Sequence, residues 1–205
     1  MEEPKKYPVI DYGFDEQGLM GVSIMSLVEY PAIEVDFVKF SKEKVQMSNV
    51  NKERRMIFGP ALIPGKFIYR EHENTKEPFY ARFSAPVIER SAHEFLKKNL
   101  HHNANIEHAL HIAGACVVES WVKWSEEDKS NYMGFDLPIG TWFIGMKIDD
   151  DNIWQSVLSG DVKGFSIEGM FKVVTEQFMP VDDVKMFRQE LENYLRDEEE
   201  RLKGV

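Results

Sequence analysis

The sequence predicts an α+β fold, a mostly antiparallel β-sheet or barrel surrounded by a few helices. Three observations carry that expectation. Short runs of β-favouring residues recur along the chain between Gly and Pro turn signals. Helical spacing of apolar residues is confined to stretches near 84–100, 149–160 and 181–203. The composition is that of an ordinary globular protein, 43% hydrophobic and 29% charged over 205 residues, which is enough for one substantial core.

The elements follow in chain order. Residues 1–20 carry Pro4, Pro8, Gly13 and Gly18 and read as an extended lead-in with at most one short strand. Gly21 to Val28 alternates well enough for a strand that Pro31 stops, and Val35 to Phe40 is a second candidate. The polar, lysine-rich residues 41–53 read as an exposed connection. Arg54 to Arg70, broken by Gly59-Pro60 and Pro64-Gly65, reads as two strands joined or kinked by turns, and Phe79 to Phe83 is another strand. Ser84 or Ser91 offers an N-cap for a helix ending near Leu100. Ile106 to Trp124 is β-like with a turn near Ala113-Gly114, and 125–140 is a polar loop.

Thr141 to Ile148 is a strand. Asp149-Asp150-Asp151 then caps a helix that Gly160 closes. Val162 to Phe171 alternates between two glycines, so Ser166 and Glu168 share the face opposite Phe165 and Ile167. Beyond Pro180, Val184, Phe187, Leu191, Tyr194 and Leu202 form the stripe of a charged amphipathic helix. Three regions result: a lead-in at 1–20, a domain at 21–178 and a C-terminal helix at 179–205.

Charge and cysteine usage narrow the function classes. A net charge of −10 argues against general nucleic-acid binding, which needs a basic surface to replace counterions. Cys116 is the only cysteine, so an intramolecular disulfide is excluded and a reducing compartment is expected. No apolar run has the length of a membrane span, and Met-Glu-Glu-Pro-Lys-Lys is not a secretion signal. The expectation is a soluble intracellular protein that needs no cofactor.

Two chemistries compete for the polar residues. A serine nucleophile needs a base, and histidine, with an ordinary pKa of about 6.5, suits that role. His101, His102, His108 and His111 lie close together ahead of a β-like run, and Glu107, Glu119 and Glu168 are nearby acids. The same histidines with Cys116 supply donors for zinc, but no CxxC pair or HExxH helix accompanies them. Helix-end histidines complementing a C-terminal dipole explain His101 and His102 without a metal. Capping explains the Asp149–Asp151 run, and packing explains Trp121, Trp124, Trp142 and Trp154.

A set of segments then carries a resemblance. It runs from Ser26-Leu27-Val28-Glu29-Tyr30-Pro31-Ala32-Ile33 through Asn105-Ile106-Glu107-His108 and Val117-Val118-Glu119-Ser120-Trp121. It continues through Pro138-Ile139-Gly140-Thr141-Trp142 to Lys163-Gly164-Phe165-Ser166-Ile167-Glu168-Gly169. In order and spacing, over roughly residues 20–175, this set resembles the phage prohead (procapsid maturation) serine proteases of Gram-positive phages and prophages. The resemblance implies a fold related to the herpesvirus assembly protease. It also implies an endopeptidase packaged in the immature capsid, in the host cytoplasm, that cuts scaffold protein, capsid protein and itself. Ser166 matches the nucleophile and His108 the base. Glu119 is the first choice for the third member and Glu168 the second, and His111 is an alternative base. Homo-oligomers are implied, with neither nucleic acid nor membrane as partner and no metal. The alternative function is a protease fold retained as an inactive capsid-assembly protein.

Overall fold

The structure is a computed structural model that describes residues 7–16, 20–31, 33, 38–39, 54–72, 74–108 and 110–179. Along these residues the strands are β1 (Tyr7–Gly13), β2 (Gly21–Val28), β3 (Val38–Lys39), β4 (Met56–Leu62), β5 (Ile68–Glu71) and β6 (Pro78–Phe83). Helix α1 (Ala85–Lys97) and a 3-10 turn (Leu100–His102) lead into β7 (Ala104–Ile106), β8 (Leu110–His111) and β9 (Ala115–Val122). The short α2 (Lys129–Tyr132), β10 (Trp142–Ile148), α3 (Asp151–Ser159), β11 (Gly164–Met170) and β12 (Lys172–Met179) complete them.

The fold is α+β, mostly strands, but no barrel closes among the described residues. The strands form three open four-stranded sheets, in the orders β12-β1-β6-β5, β3-β4-β10-β9 and β11-β2-β7-β8. The pairs β3-β4, β5-β6, β7-β8 and β9-β10 each stay within one sheet, but every other step along the chain changes sheet instead of continuing around a ring. After β11, Phe171 alone intervenes before β12 starts on the edge of a different sheet. Most pairings are antiparallel, but β1 with β6 and β2 with β7 are parallel. The expected lead-in contains a full strand, since β1 lies between β12 and β6 in its sheet. Strand β12 was not anticipated. Its exposed Val173, Val174 and Phe178 lack the alternation of a half-buried strand. The expected C-terminal helix and most of the 35–53 stretch lie outside the described residues.

One core joins the sheets. Met25 and Leu27 of β2, Ile57 and Leu62 of β4, Trp142 and Ile144 of β10, and Phe165 of β11 are all fully buried there. Helix α1 adds Ile88, Ala92 and Phe95, and the Phe95 ring meets Trp142 edge-on at 5.6 Å between centroids. Each such side chain contributes about 1.5–3 kcal/mol by leaving water. The helix begins after Ser84, whose backbone is extended, with Pro at its first turn, where a missing N–H costs nothing. Asp150 caps α3 by accepting from the N–H groups of Asn152 and Ile153, so one member of the Asp run is a cap, as expected.

Buried Lys123 pins the polar loop that follows β9. Its ammonium donates to Asn131 Oδ1 at 2.9 Å and to the Leu137 carbonyl at 2.8 Å. Burying that charge is tolerable because the loop supplies its partners.

Glycine at the head of β11 has a packing reason. A Cβ on Gly164 would meet the Pro31 ring at 2.5 Å, so the chain just beyond β2 closes directly over this residue. The Gly164→Ala protein is expected to lose about 1–3 kcal/mol of stability through overpacking. Thermal unfolding checks this, and an unchanged Tm would show that Pro31 moves aside freely.

Candidate active site

Three neighbouring strands set the site by register. On β2, Ser26 stands opposite Ser166 of β11 on one side and opposite Asn105 of β7 on the other. Directly opposed residues on neighbouring strands project from the same face of a sheet. Ser166, Ser26 and Asn105 therefore form a polar row, and all three are buried. Glu168, two residues beyond Ser166 on β11, shares that face. The ladder shifts register between Glu168 and Gly169, and a Cβ on Gly169 would collide with the Gly21 carbonyl. Such a bulge bends the strand and re-aims the side chain beside it.

His108 arrives from the turn after β7. Glu107 and His108 both adopt left-handed backbone, with φ of 51° and 58°, which is costly without glycine. The end of β2 holds them there. The Glu107 N–H donates to the Leu27 carbonyl at 3.0 Å, and the Glu107 carboxylate accepts from the Glu29 N–H at 2.6 Å.

The row and the turn converge on one oxygen. Glu168 Oε1 lies 3.0 Å from His108 Nδ1, accepts from Asn105 Nδ2 at 2.5 Å and accepts from the Ser26 hydroxyl at 3.2 Å. Ser26 Oγ is also 3.0 Å from His108 Nδ1. An ionised carboxylate can only accept, so it places the proton of the neutral imidazole on Nδ1. The lone pair is then on Nε2. In that tautomer Nδ1 cannot take a proton from Ser26, whose oxygen accepts from the ring while its hydrogen goes to Glu168. Ser26 is therefore a positioning residue, and Nε2 is the basic atom.

Burial alone would raise the Glu168 pKa. The hydrogen bonds from Asn105, His108 and Ser26, with the His108 charge, outweigh burial and hold the carboxyl below its usual range.

The sequence-derived candidates separate here. Ser166 lies in the row with its hydroxyl buried, and among the described residues that hydroxyl has no hydrogen-bond partner. No hydrogen bond joins Ser166 to His108. His108 meets Glu168 and not Glu119. On β9, in another sheet, Glu119 faces Lys129, whose ammonium donates to it at 2.5 Å while lying 3.7 Å over the Trp121 ring. A bend does occur at Ala113-Gly114, but it leads β9 into that other sheet instead of returning Glu119 to His108. The backbone register sets His111 opposite Asn105, at the far end of the row. Ser26 and Asn105 were missed as site residues. The available signal was a polar residue between buried apolar ones, Ser26 between Met25 and Leu27 and Asn105 after Ala104.

A carboxyl with a lowered folded pKa stabilises the fold above its unfolded value, and that contribution is lost as pH falls through the folded pKa. Urea unfolding of wild type and Glu168→Gln across acid and neutral pH checks this. The stability gap is expected to be widest near neutrality and to shrink with acidification. A gap independent of pH would mean that the Glu168 charge contributes nothing.

Comparison with known proteins places the chain. Over 158 residues it is 23% identical to "Uncharacterized protein YqbD" of Bacillus subtilis (strain 168), a match covering 77% of this chain and 44% of that protein. The chain thus spans less than half the length of that relative. No solved structure matches it. Residues 44–175, more than half of the chain, match the family described as "Putative phage serine protease XkdF", and the chain belongs to that family.

Proposed function

We propose that this protein is a prohead maturation serine endopeptidase of the Gram-positive phage branch, with a herpesvirus-assemblin-like fold. The observation that carries the reading is the His108–Glu168 contact at 3.0 Å, on the sheet that also bears the unpartnered Ser166 hydroxyl. Membership in a phage serine protease family supports the reaction class, and a relative in Bacillus supports the branch.

In this reading Ser166 Oγ attacks a scissile carbonyl and His108 Nε2 takes its proton. The same proton then goes to the leaving amine, and water hydrolyses the acyl-enzyme through the same base. Glu168 takes the role first expected of Glu119, holding Nδ1–H and stabilising the imidazolium. Asn105 and Ser26 hold Glu168. The substrates are scaffold and major capsid proteins and the enzyme itself, inside the prohead in the host cytoplasm, and the working form is a homo-oligomer.

A second reading, an inactive capsid-assembly protein with a protease fold, is favoured by one observation. Ser166 is only 4% exposed, so a substrate carbonyl reaches its hydroxyl only if the covering atoms yield.

Intact-mass spectrometry separates the two readings. Wild type and Ser166→Ala would each be co-expressed with scaffold and major capsid proteins. Discrete truncations are expected with wild type and not with Ser166→Ala, whose turnover should fall by about 10⁴. Uncut masses with folded, oligomeric wild type would support the inactive reading. A fluorophosphonate probe should label Ser166 in both wild type and Glu119→Gln. Labelling of Ser26 would overturn the assignment of the nucleophile.

A further inference from the structure

Three donors that the catalytic reading leaves unused meet elsewhere. His101 and His102 lie on the 3-10 turn after α1, and Cys116 lies near the start of β9. One ligand atom from each (an imidazole nitrogen or the thiol sulfur) falls within 4.8 Å of the other two. The two imidazole rings are 4.3 Å apart between centroids. No hydrogen bond engages either ring among the described residues, although each ring has a donor and an acceptor to satisfy.

His108 stands apart from this group, held by Glu168 and Ser26. Of the four clustered histidines of the sequence, His108 thus stands with Glu168, His101 and His102 are grouped with a thiol, and His111 is paired by backbone register with Asn105.

We propose that His101, His102 and Cys116 form a binding site for a borderline transition-metal dication, zinc above all, that clips the 3-10 turn to β9. Imidazole and thiolate are the donors zinc prefers. In a tetrahedral site with bonds of about 2.0–2.3 Å, donors sit roughly 3.3–3.7 Å apart. Donors already within 4.8 Å of one another reach that spacing by side-chain rotation alone. A hard cation such as magnesium or calcium would find no oxygen ligand among the three.

His102 is exposed while His101 and Cys116 are half-buried, so the fourth position opens to solvent and takes water. Binding displaces the thiol proton into solvent.

The consequence is mechanical. Asn103 alone separates the 3-10 turn from β7, which carries Asn105 and leads to His108. A metal that ties the turn to β9 would fix the start of that strand.

Cobalt(II) titration of the untagged full chain tests the site. One equivalent is expected to give tetrahedral d–d bands and a sulfur-to-cobalt charge-transfer band, and zinc should displace both. Cys116→Ser should abolish the charge-transfer band, and His102→Gln, an exposed change, should weaken binding without unfolding the protein. Zinc should raise the Tm of wild type but not of Cys116→Ser. Ser166→Ala should bind metal like wild type, so the result is independent of the peptidase reading. Absence of a cobalt complex, or a charge-transfer band that survives Cys116→Ser, would overturn the proposal. If Cys116→Ser fails to fold, full-strength binding in His102→Gln would overturn it instead.

Discussion

The Glu168 carboxylate is the constraint on which the site depends. Its Oε1 takes hydrogen bonds from β7 and β2 and meets His108 from the turn beyond β7. Removing it would leave Asn105 and Ser26 buried without an acceptor and leave the imidazole without a reason to prefer one tautomer. Buried polar groups of this kind are costly singly and inexpensive together, because each satisfies another. Their placement is a property of backbone register. Opposing Ser166, Ser26 and Asn105 across three strands is possible only in this pairing, and a one-residue slip would turn one of them toward the apolar core.

Much of the fold was legible because it rests on local signals. Alternation gave β2 and β11, a run of β-favouring residues gave β10, the Pro64-Gly65 turn separated β4 from β5, and Asp150 announced α3, whereas Gly59-Pro60 makes no turn and lies inside β4. What could not be read was pairing. Nothing local tells β1 that it will lie between β12 and β6, or tells β12 that it will form a strand with a largely exposed surface. Closure into a barrel is likewise a global outcome, and the open sheets differ from the barrel alternative for that reason.

The site divides along the same line. Ser166 and Glu168 share a face by simple alternation, so their association was available from six residues of sequence. The choice between Glu119 and Glu168 was not local, because Glu119 lies in a segment as distinctive as the one around Ser166. Its fate turns on Lys129 reaching it from across the following loop, a contact that no spacing rule foretells. Ser26 and Asn105 were hidden for a different reason. Each is one polar residue within a short strand, and its meaning appears only when the neighbouring strand supplies the partner.

The turn at Glu107-His108 shows what this arrangement costs. Two consecutive non-glycine residues in left-handed backbone sacrifice about 1–3 kcal/mol each. Glycine at 107 would relieve part of that strain, but it would lose the carboxylate that accepts from the Glu29 N–H. Glycine at 108 would remove the imidazole itself. The strain is therefore tied to side chains that only non-glycine residues provide. The same β2 that carries Ser26 anchors the turn through its Leu27 carbonyl, one residue before its end. One strand thus both positions the carboxylate and holds the strained turn that brings the histidine to it, which explains why Ser26, bonded to both partners, lies where the two tasks meet.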